Sequence, residues 1–115
     1  MKPYIVLVTG GRRFTDATAV EEALGSFLGR QGLMVLQGGS SGADSLAREW
    51  CKTNDVPCLT LTAHWDRGPS AGPVRNARML WLSPDIVLAF PGGTGTDSML
   101  KLAGEAGVPV RLASA

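Results

Sequence analysis

The segment Tyr4-Ile5-Val6-Leu7-Val8-Thr9-Gly10-Gly11 decides the fold of this 115-residue chain. Its first six residues are mostly apolar and often β-branched, and such a run is typical of a strand buried on both faces of a parallel sheet. The pattern of a strand that ends at paired glycines recurs twice. Leu33–Gln37 leads into Gly38-Gly39, and Asp85–Phe90 leads into Pro91-Gly92-Gly93.

Apolar side chains between these strands recur at the spacing of amphipathic helices. The spacing predicts a first helix over 15–30 and a second that includes 43–51, with Ser40 or Ser41 as its N-cap. A third helix is predicted near Pro73, with Val74, Ala77 and Trp81 directed inward, and a fourth over 94–106. Two further short strands are predicted within 56–61 and over 109–112.

Strands that alternate with helices require a parallel sheet with right-handed crossovers. We therefore predict an α/β fold: one Rossmann-like, doubly wound domain over residues 1–115. Its five parallel strands have the expected order 3-2-1-4-5.

Composition and charge narrow the functional classes. Eleven basic residues against ten acidic ones give a net charge of +1, so bulk attraction to nucleic acid is not expected. Cys51 and Cys58 do not make a disulfide framework and are interpreted as core thiols. His64 is the only histidine, and no cluster has the spacing of metal ligands, so no metal site is predicted. The apolar run Ile5–Val8 is too short for a membrane span, and we expect a cytoplasmic protein without a membrane partner.

The three glycine-rich turns carry the main functional prediction. In the expected strand order they follow neighbouring strands, so they meet at the point where the strand order reverses. Helix amino termini there offer unpaired N–H groups and partial positive charge, and glycine lets a phosphate approach them. The alternative is that glycine simply builds tight turns. The candidate phosphate-binding residues are Thr9, Gly10, Gly11, Gly38, Gly39, Ser40, Ser41, Pro91, Gly92, Gly93, Thr94, Gly95 and Thr96.

Arginines lie where they oppose the helix dipole. Arg12 and Arg13 precede the first predicted helix, and Arg75 and Arg78 lie in the opening turns of the third. Cations at these places are favourable when an anion lies between them. Arg13 and Arg75 are the stronger candidates; the alternative is that these side chains extend into water or pair with nearby carboxylates.

Two common nucleotide-binding classes lack their signatures here. There is no G-x-x-x-x-G-K-[ST] segment, which excludes a P-loop NTPase. There is also no G-x-G-x-x-G at the first helix, and Gln37 stands where a dinucleotide-binding strand ends in an acid, which argues against an ordinary NAD-dependent dehydrogenase.

The segment Val87–Thr96 resembles the P-G-G-x-G-T signature of the SLOG superfamily, which includes the "lonely guy" phosphoribohydrolases. Three more segments, Val8–Phe14, Gln37–Asp44 and Ala71–Asn76, resemble the YspA, or cpYpsA-related, branch. The resemblance covers nearly the whole chain. It implies a Rossmann-like fold, a nucleotide or nucleotide-derived ligand, and a homodimer whose sites lie near the interface.

The resemblance to the phosphoribohydrolases is incomplete at their catalytic residues. Their R-K-x-x-M segment corresponds to Arg75-Asn76-Ala77-Arg78-Met79, and their glutamate corresponds to Met99. A thioether can neither stabilise an oxocarbenium-like ribosyl centre nor move a proton. Asp44 and Asp97 are the candidate substitutes; the alternative is that each complements a helix dipole.

Three functions follow, in order of preference. The first is binding of a nucleotide or an ADP-ribose-like ligand, as a sensor or a ligand-processing module, with no required cofactor; Arg75 and Asn76 would join the turns in the site. The second is N-glycosidic cleavage of a nucleoside 5′-monophosphate, with Arg75, Asp44 and Asp97 as candidate catalytic residues. The third is binding of single-stranded DNA, to which Trp65 would contribute by stacking.

Overall fold

Five parallel strands form the sheet of this computed structural model, which describes residues 2–113. The strands are β1 (Tyr4–Thr9), β2 (Leu33–Gln37), β3 (Cys58–Thr60), β4 (Ile86–Ala89) and β5 (Val110–Leu112). Their order is β3-β2-β1-β4-β5, and every neighbouring pair is parallel. The predicted fold class and strand order are confirmed.

Four helices connect the strands. They are α1 (Ala17–Gly25), α2 (Ala43–Asn54), α3 (Ala71–Trp81) and α4 (Thr94–Ala106), with a 3-10 turn at Trp65–Arg67 before α3. Helix α4 has the predicted bounds. Helix α1 is shorter than predicted, since it ends at Gly25 and the chain continues to residue 30 in turns that still bury Phe27.

Two details of the predicted helices are wrong. Neither Ser40 nor Ser41 caps α2, because Gly42 occupies the N-cap with a φ of +76° and no side chain bonds the cap. On α3, Val74 and Trp81 point to solvent, and the side chain of Trp81 is 85% exposed. The buried face of α3 instead contains Asn76, a polar residue that an apolar periodicity does not find.

The central strand β1 is buried on both faces, as predicted. Val6 and Val8 pack into a core cluster with residues of α1 and α2, while Ile5 and Leu7 pack into a second cluster with residues of α3 and α4. The sheet therefore has two helices on each face. No helix within residues 2–113 is long and apolar enough to cross a membrane.

Candidate functional site

Three turns meet at the carboxyl edge of the sheet: the β1–α1 turn (10–14), the β2–α2 turn (38–42) and the β4–α4 turn (91–96). Backbone hydrogen bonds join them, because Gly11 N donates to Pro91 O at 2.8 Å and Ala43 N donates to Gly11 O at 3.1 Å. The hydroxyl of Ser41 also donates to the carbonyl of Arg12 at 3.0 Å. The predicted convergence of these turns is thus a feature of the structure.

Several glycines are needed for this close approach of the turns. A Cβ at Gly10 would lie 2.6 Å from Ala43 Cβ, and one at Gly42 would overlap the carbonyl oxygen of Gly11. Turn packing thus explains these two glycines without a ligand. Gly93 and Gly95 differ, because a Cβ at either would meet no atom within 4 Å.

A cleft of about 950 Å³ lies among the turns and the start of α3. The predicted residues that line it are Thr9, Gly10, Gly11, Arg13, Gly38, Ser40, Asp44, Arg75, Asn76, Pro91, Gly92, Gly93, Thr94, Gly95 and Thr96. Gly39, Ser41 and Asp97 are not among the lining residues. Sequence reasoning did not assign Phe14, Gly72 and Met79, which also line the cleft.

Three amides of the β2–α2 turn, those of residues 38–40, have acceptors within the protein. Asp44 Oδ2 accepts from Gly38 N and from Ser40 N, each at 3.2 Å, and Gln37 Oε1 accepts from Gly39 N at 2.6 Å. Burial raises the pKa of Asp44, although the two amide bonds and the charge of Arg75 oppose this effect. The sequence prediction assumed free amides in this turn, and these three are not free.

Gln37 organises the β2–α2 turn, a role that the sequence analysis missed. Its side chain is fully buried and bonds the hydroxyl of Thr60 through Nε2, while its Oε1 also accepts from Arg48 Nη1 at 3.2 Å. The available signal was a polar residue that closes an otherwise apolar strand. Such a buried amide must find partners, because an unpaired one is costly.

The two thiols differ in environment. Cys51 is buried, as interpreted, but Cys58 lies exposed on the edge strand β3, so it is not a core thiol. A hydrogen bond from Cys51 lowers the pKa of Cys58 to about 7, and Gln37 Nε2 contributes, 3.6 Å from Cys58 Sγ. Cys58 lies outside the cleft.

Arg75 lies half-buried between the turns. Its Nη1 donates to Gly38 O at 2.8 Å and to Leu61 O at 3.4 Å, and its Nε donates to Asn76 Oδ1 at 2.9 Å. These bonds hold the guanidinium against β2 and leave both N–H groups of Nη2 available. Asn76 in turn donates to Gly95 O at 3.3 Å, which ties α3 to the first turn of α4.

The last three residues of the β4–α4 turn form the amino terminus of α4. Thr94, Gly95 and Thr96 are its first three residues, and amides at these positions have no acceptor within a helix. They line the cleft, where the helix dipole adds partial positive charge. Met99, at the position of the phosphoribohydrolase glutamate, has no exposed surface and packs in the core between α4 and the sheet.

An aromatic side chain completes the cleft. Trp65 lines it and is 48% exposed, and the Arg12 guanidinium lies 5.2 Å from the centre of its ring. Gly72 makes room for this ring, since a Cβ there would lie 2.9 Å from Trp65 Cη2. The cleft therefore has cationic, aromatic and open-amide surfaces.

Comparisons with known proteins identify the family and the fold of the chain. The model of the YspA, cpYpsA-related SLOG family matches residues 4–68. The Gene 61 protein of Mycobacterium phage D29 is 38% identical over 115 residues, covering 91% of this chain and 92% of that protein.

Two solved structures have similar folds. The structure of DNA processing protein A (DprA) from Streptococcus pneumoniae gives a TM-score of 0.78 at 17% identity, over 96% of this chain and 50% of that one. The structure of the protein TM1055 gives a TM-score of 0.73 at 21% identity, over 96% of this chain and 72% of that one. The chain spans half the length of the DprA structure, and these likenesses concern the fold. By the family model, which matches more than half of its residues, the chain belongs to the YspA, cpYpsA-related SLOG family.

Proposed function

We propose that this chain binds a nucleotide or a nucleotide-derived ligand, such as ADP-ribose, in the cleft at the carboxyl edge of the sheet. The observation that carries the proposal is the open amino-terminal turn of α4. Gly93 and Gly95 have no atom within 4 Å of an added Cβ, and this turn lines the cleft together with Arg13 and Arg75. Uncovered helix amides beside cations are a favourable place for a phosphate group.

Each surface of the cleft suits one part of such a ligand. The amides of 94–96 would bind a phosphate, with Arg13 and the free Nη2 of Arg75 neutralising its charge. The half-exposed ring of Trp65 would stack on a base. Asp44 Oδ2 accepts the hydrogen bonds of the Gly38 and Ser40 amides, which leaves Oδ1 to orient a ribose hydroxyl. The volume of about 950 Å³ lies in the range of small-molecule sites.

Family membership also leads to two predictions, one on the role of the protein and one on its oligomeric state. The protein would act as a sensor or as a module that processes or delivers the ligand, without a further cofactor. It would form a homodimer, which light scattering on the purified protein would measure.

The direct test is a calorimetric titration with AMP, ADP-ribose and cyclic nucleotides, comparing wild type with Gly95→Asp. A carboxylate in the first turn of α4 complements the helix dipole but repels a phosphate, so the variant stays folded. We expect its affinity to fall at least about tenfold. Gly29→Asp, at another glycine with open space, is the control. Absence of binding to the whole panel, or equal weakening by Gly29→Asp, would contradict the proposal.

Cleavage of the N-glycosidic bond of a nucleoside 5′-monophosphate is the second candidate function. It is favoured by Asp44, because this buried carboxylate lines the cleft. Asp97, the other candidate, does not line it. This function ranks second because Met99 stands at the position of the phosphoribohydrolase glutamate and packs in the core. In the reaction, water would add to C1′ while the C1′–N bond breaks and the base leaves with a proton. Chromatography of nucleotides incubated with the protein would show free base above background, and none would exclude this activity for those substrates.

Single-stranded DNA is the third ligand to test. DprA is named for DNA processing, but its likeness to this chain at 17% identity concerns the fold. An oligonucleotide therefore belongs in the titration panel. If it bound through its phosphates, its affinity would fall steeply with salt.

A further inference from the structure

A second, smaller cavity lies beside α3, and no described function uses it. We name it the arginine pocket. Its volume is about 140 Å³, and its polar lining residues are Thr62, His64, Arg67, Ser70, Arg75 and Arg78. A phosphate group and a few waters fit this space, since a water occupies about 30 Å³, but a whole nucleoside does not.

The charge of the arginine pocket is unbalanced. Three arginines line one small cavity, and within the described part of the chain no aspartate or glutamate lines it. The ion pair recorded among residues 2–113 lies elsewhere, between Lys2 and Asp85. Arg75 and Arg78 are three residues apart on α3, where like charges repel. Cations gathered in this way gain energy when an anion binds among them.

Arg75 lies between this pocket and the main cleft, because it lines both. Its Nε and Nη1 are committed to Asn76, Gly38 and Leu61, while Nη2 is free of those bonds. A ligand in the cleft that extended past Arg75 would approach the pocket that Arg67 and Arg78 line. The hydroxyl of Ser70, at the start of α3, adds a further donor at the same place.

We propose that the arginine pocket binds a second phosphate group of the ligand that occupies the cleft. This inference rests on the proposed nucleotide-binding function and makes it more specific. The preferred ligand class carries two separated phosphates, as a nucleoside 3′,5′-bisphosphate or a phosphorylated dinucleotide does. A nucleoside 5′-monophosphate has one phosphate group, so it would occupy the cleft and leave the arginine pocket empty.

The test compares adenosine 5′-monophosphate with adenosine 3′,5′-bisphosphate by calorimetric titration of the full chain. We expect wild type to bind the bisphosphate about tenfold more tightly, the effect of roughly one charge-assisted contact. The double variant Arg67→Ala/Arg78→Ala should lose this preference and keep its affinity for the monophosphate. Both side chains are exposed, so the fold should tolerate the change, and circular dichroism checks it.

A matched control removes the same charge elsewhere. Arg30→Ala/Lys52→Ala changes two exposed cations that line neither cavity, and it should keep the preference for the bisphosphate. Equal affinity of wild type for the two ligands would overturn the inference while nucleotide binding stands. An equal loss of the preference for the bisphosphate in the control variant would also overturn the inference. If neither ligand nor any other nucleotide binds, the proposed function falls and the inference with it.

Discussion

The β2–α2 turn and the β4–α4 turn follow the two strands that flank β1, and both combine paired glycines with hydroxyl residues. In the β2–α2 turn the protein's own side chains accept three of the amides, since Asp44 accepts from Gly38 and Ser40, and Gln37 accepts from Gly39. In the β4–α4 turn the glycine positions 93 and 95 open into free space.

The difference shows that one sequence pattern serves two physical purposes. In the first turn, glycine lets neighbouring backbones approach and holds Asp44 and Arg75 in place. In the second, Gly92 also packs tightly, since its Cβ would lie 2.7 Å from Gly11 N, while Gly93 and Gly95 leave the amino terminus of α4 accessible. A rigid first turn beside an open second turn is what preorganised binding requires, because the ligand then orders little of the protein.

Changing a glycine in each turn would separate these purposes. We expect Gly42→Ala to lower the free energy of unfolding by about 3 kcal/mol, because Gly42 has a φ of +76° and its Cβ would overlap the carbonyl of Gly11. Gly93→Ala, with open space around it, should change that free energy by about 0.5 kcal/mol or less. Urea unfolding followed by circular dichroism measures both.

The same pair of variants has an expected binding result. Gly93→Ala should weaken nucleotide binding although it leaves stability nearly unchanged, because the methyl group occupies the space of the ligand. If Gly42→Ala proved as stable as Gly93→Ala, the two turns would not differ as described.

A smaller effect is expected where the β2–α2 turn meets Arg75. In Gly38→Ala the new methyl group would overlap the Arg75 guanidinium, which must leave the carbonyl of Gly38. Loss of that bond should cost about 1 kcal/mol of stability, and nucleotide affinity should fall about tenfold. Urea unfolding and calorimetry measure the two effects. Gly104→Ala is the control, because a Cβ there would meet no atom within 4 Å. Equal nucleotide affinity of the two variants would show that Arg75 does not contribute to binding.

Local sequence predicts the parts of the fold that depend on neighbours along the chain. The run in β1 reads as a strand buried on both faces because period-2 positions on both sides are apolar, and the structure buries Ile5–Val8. Helix α4 has its predicted bounds because Gly93 and Gly107 flank it as caps. The strand order follows from the general rule for alternating strands and helices.

Contacts between distant residues account for what the sequence did not predict. Whether a turn glycine faces another turn or free space depends on pairs such as Gly10 and Ala43, 33 positions apart. The inward face of α3 contains Asn76 because its amide reaches Gly95, and no periodicity of apolar residues encodes this contact. The arginine pocket likewise requires the 3-10 turn at Trp65–Arg67, which none of the predicted helices or strands included.

The pH dependence of stability tests the β2–α2 turn with the smallest change of structure. Burial raises the pKa of Asp44 above its ordinary 3.8, so the protonated carboxyl favours the folded state below that value and this contribution is lost as pH rises through the raised pKa. Asp44→Asn keeps an acceptor oxygen and does not titrate. The stability of the variant relative to wild type should therefore rise from about pH 4 towards neutrality. Urea unfolding at a series of pH values measures it, with Asp97→Asn, at an exposed carboxylate in α4, as the charge-matched control. A relative loss over that range would mean that the two amide bonds and Arg75 outweigh burial, so the turn would hold a stabilised carboxylate.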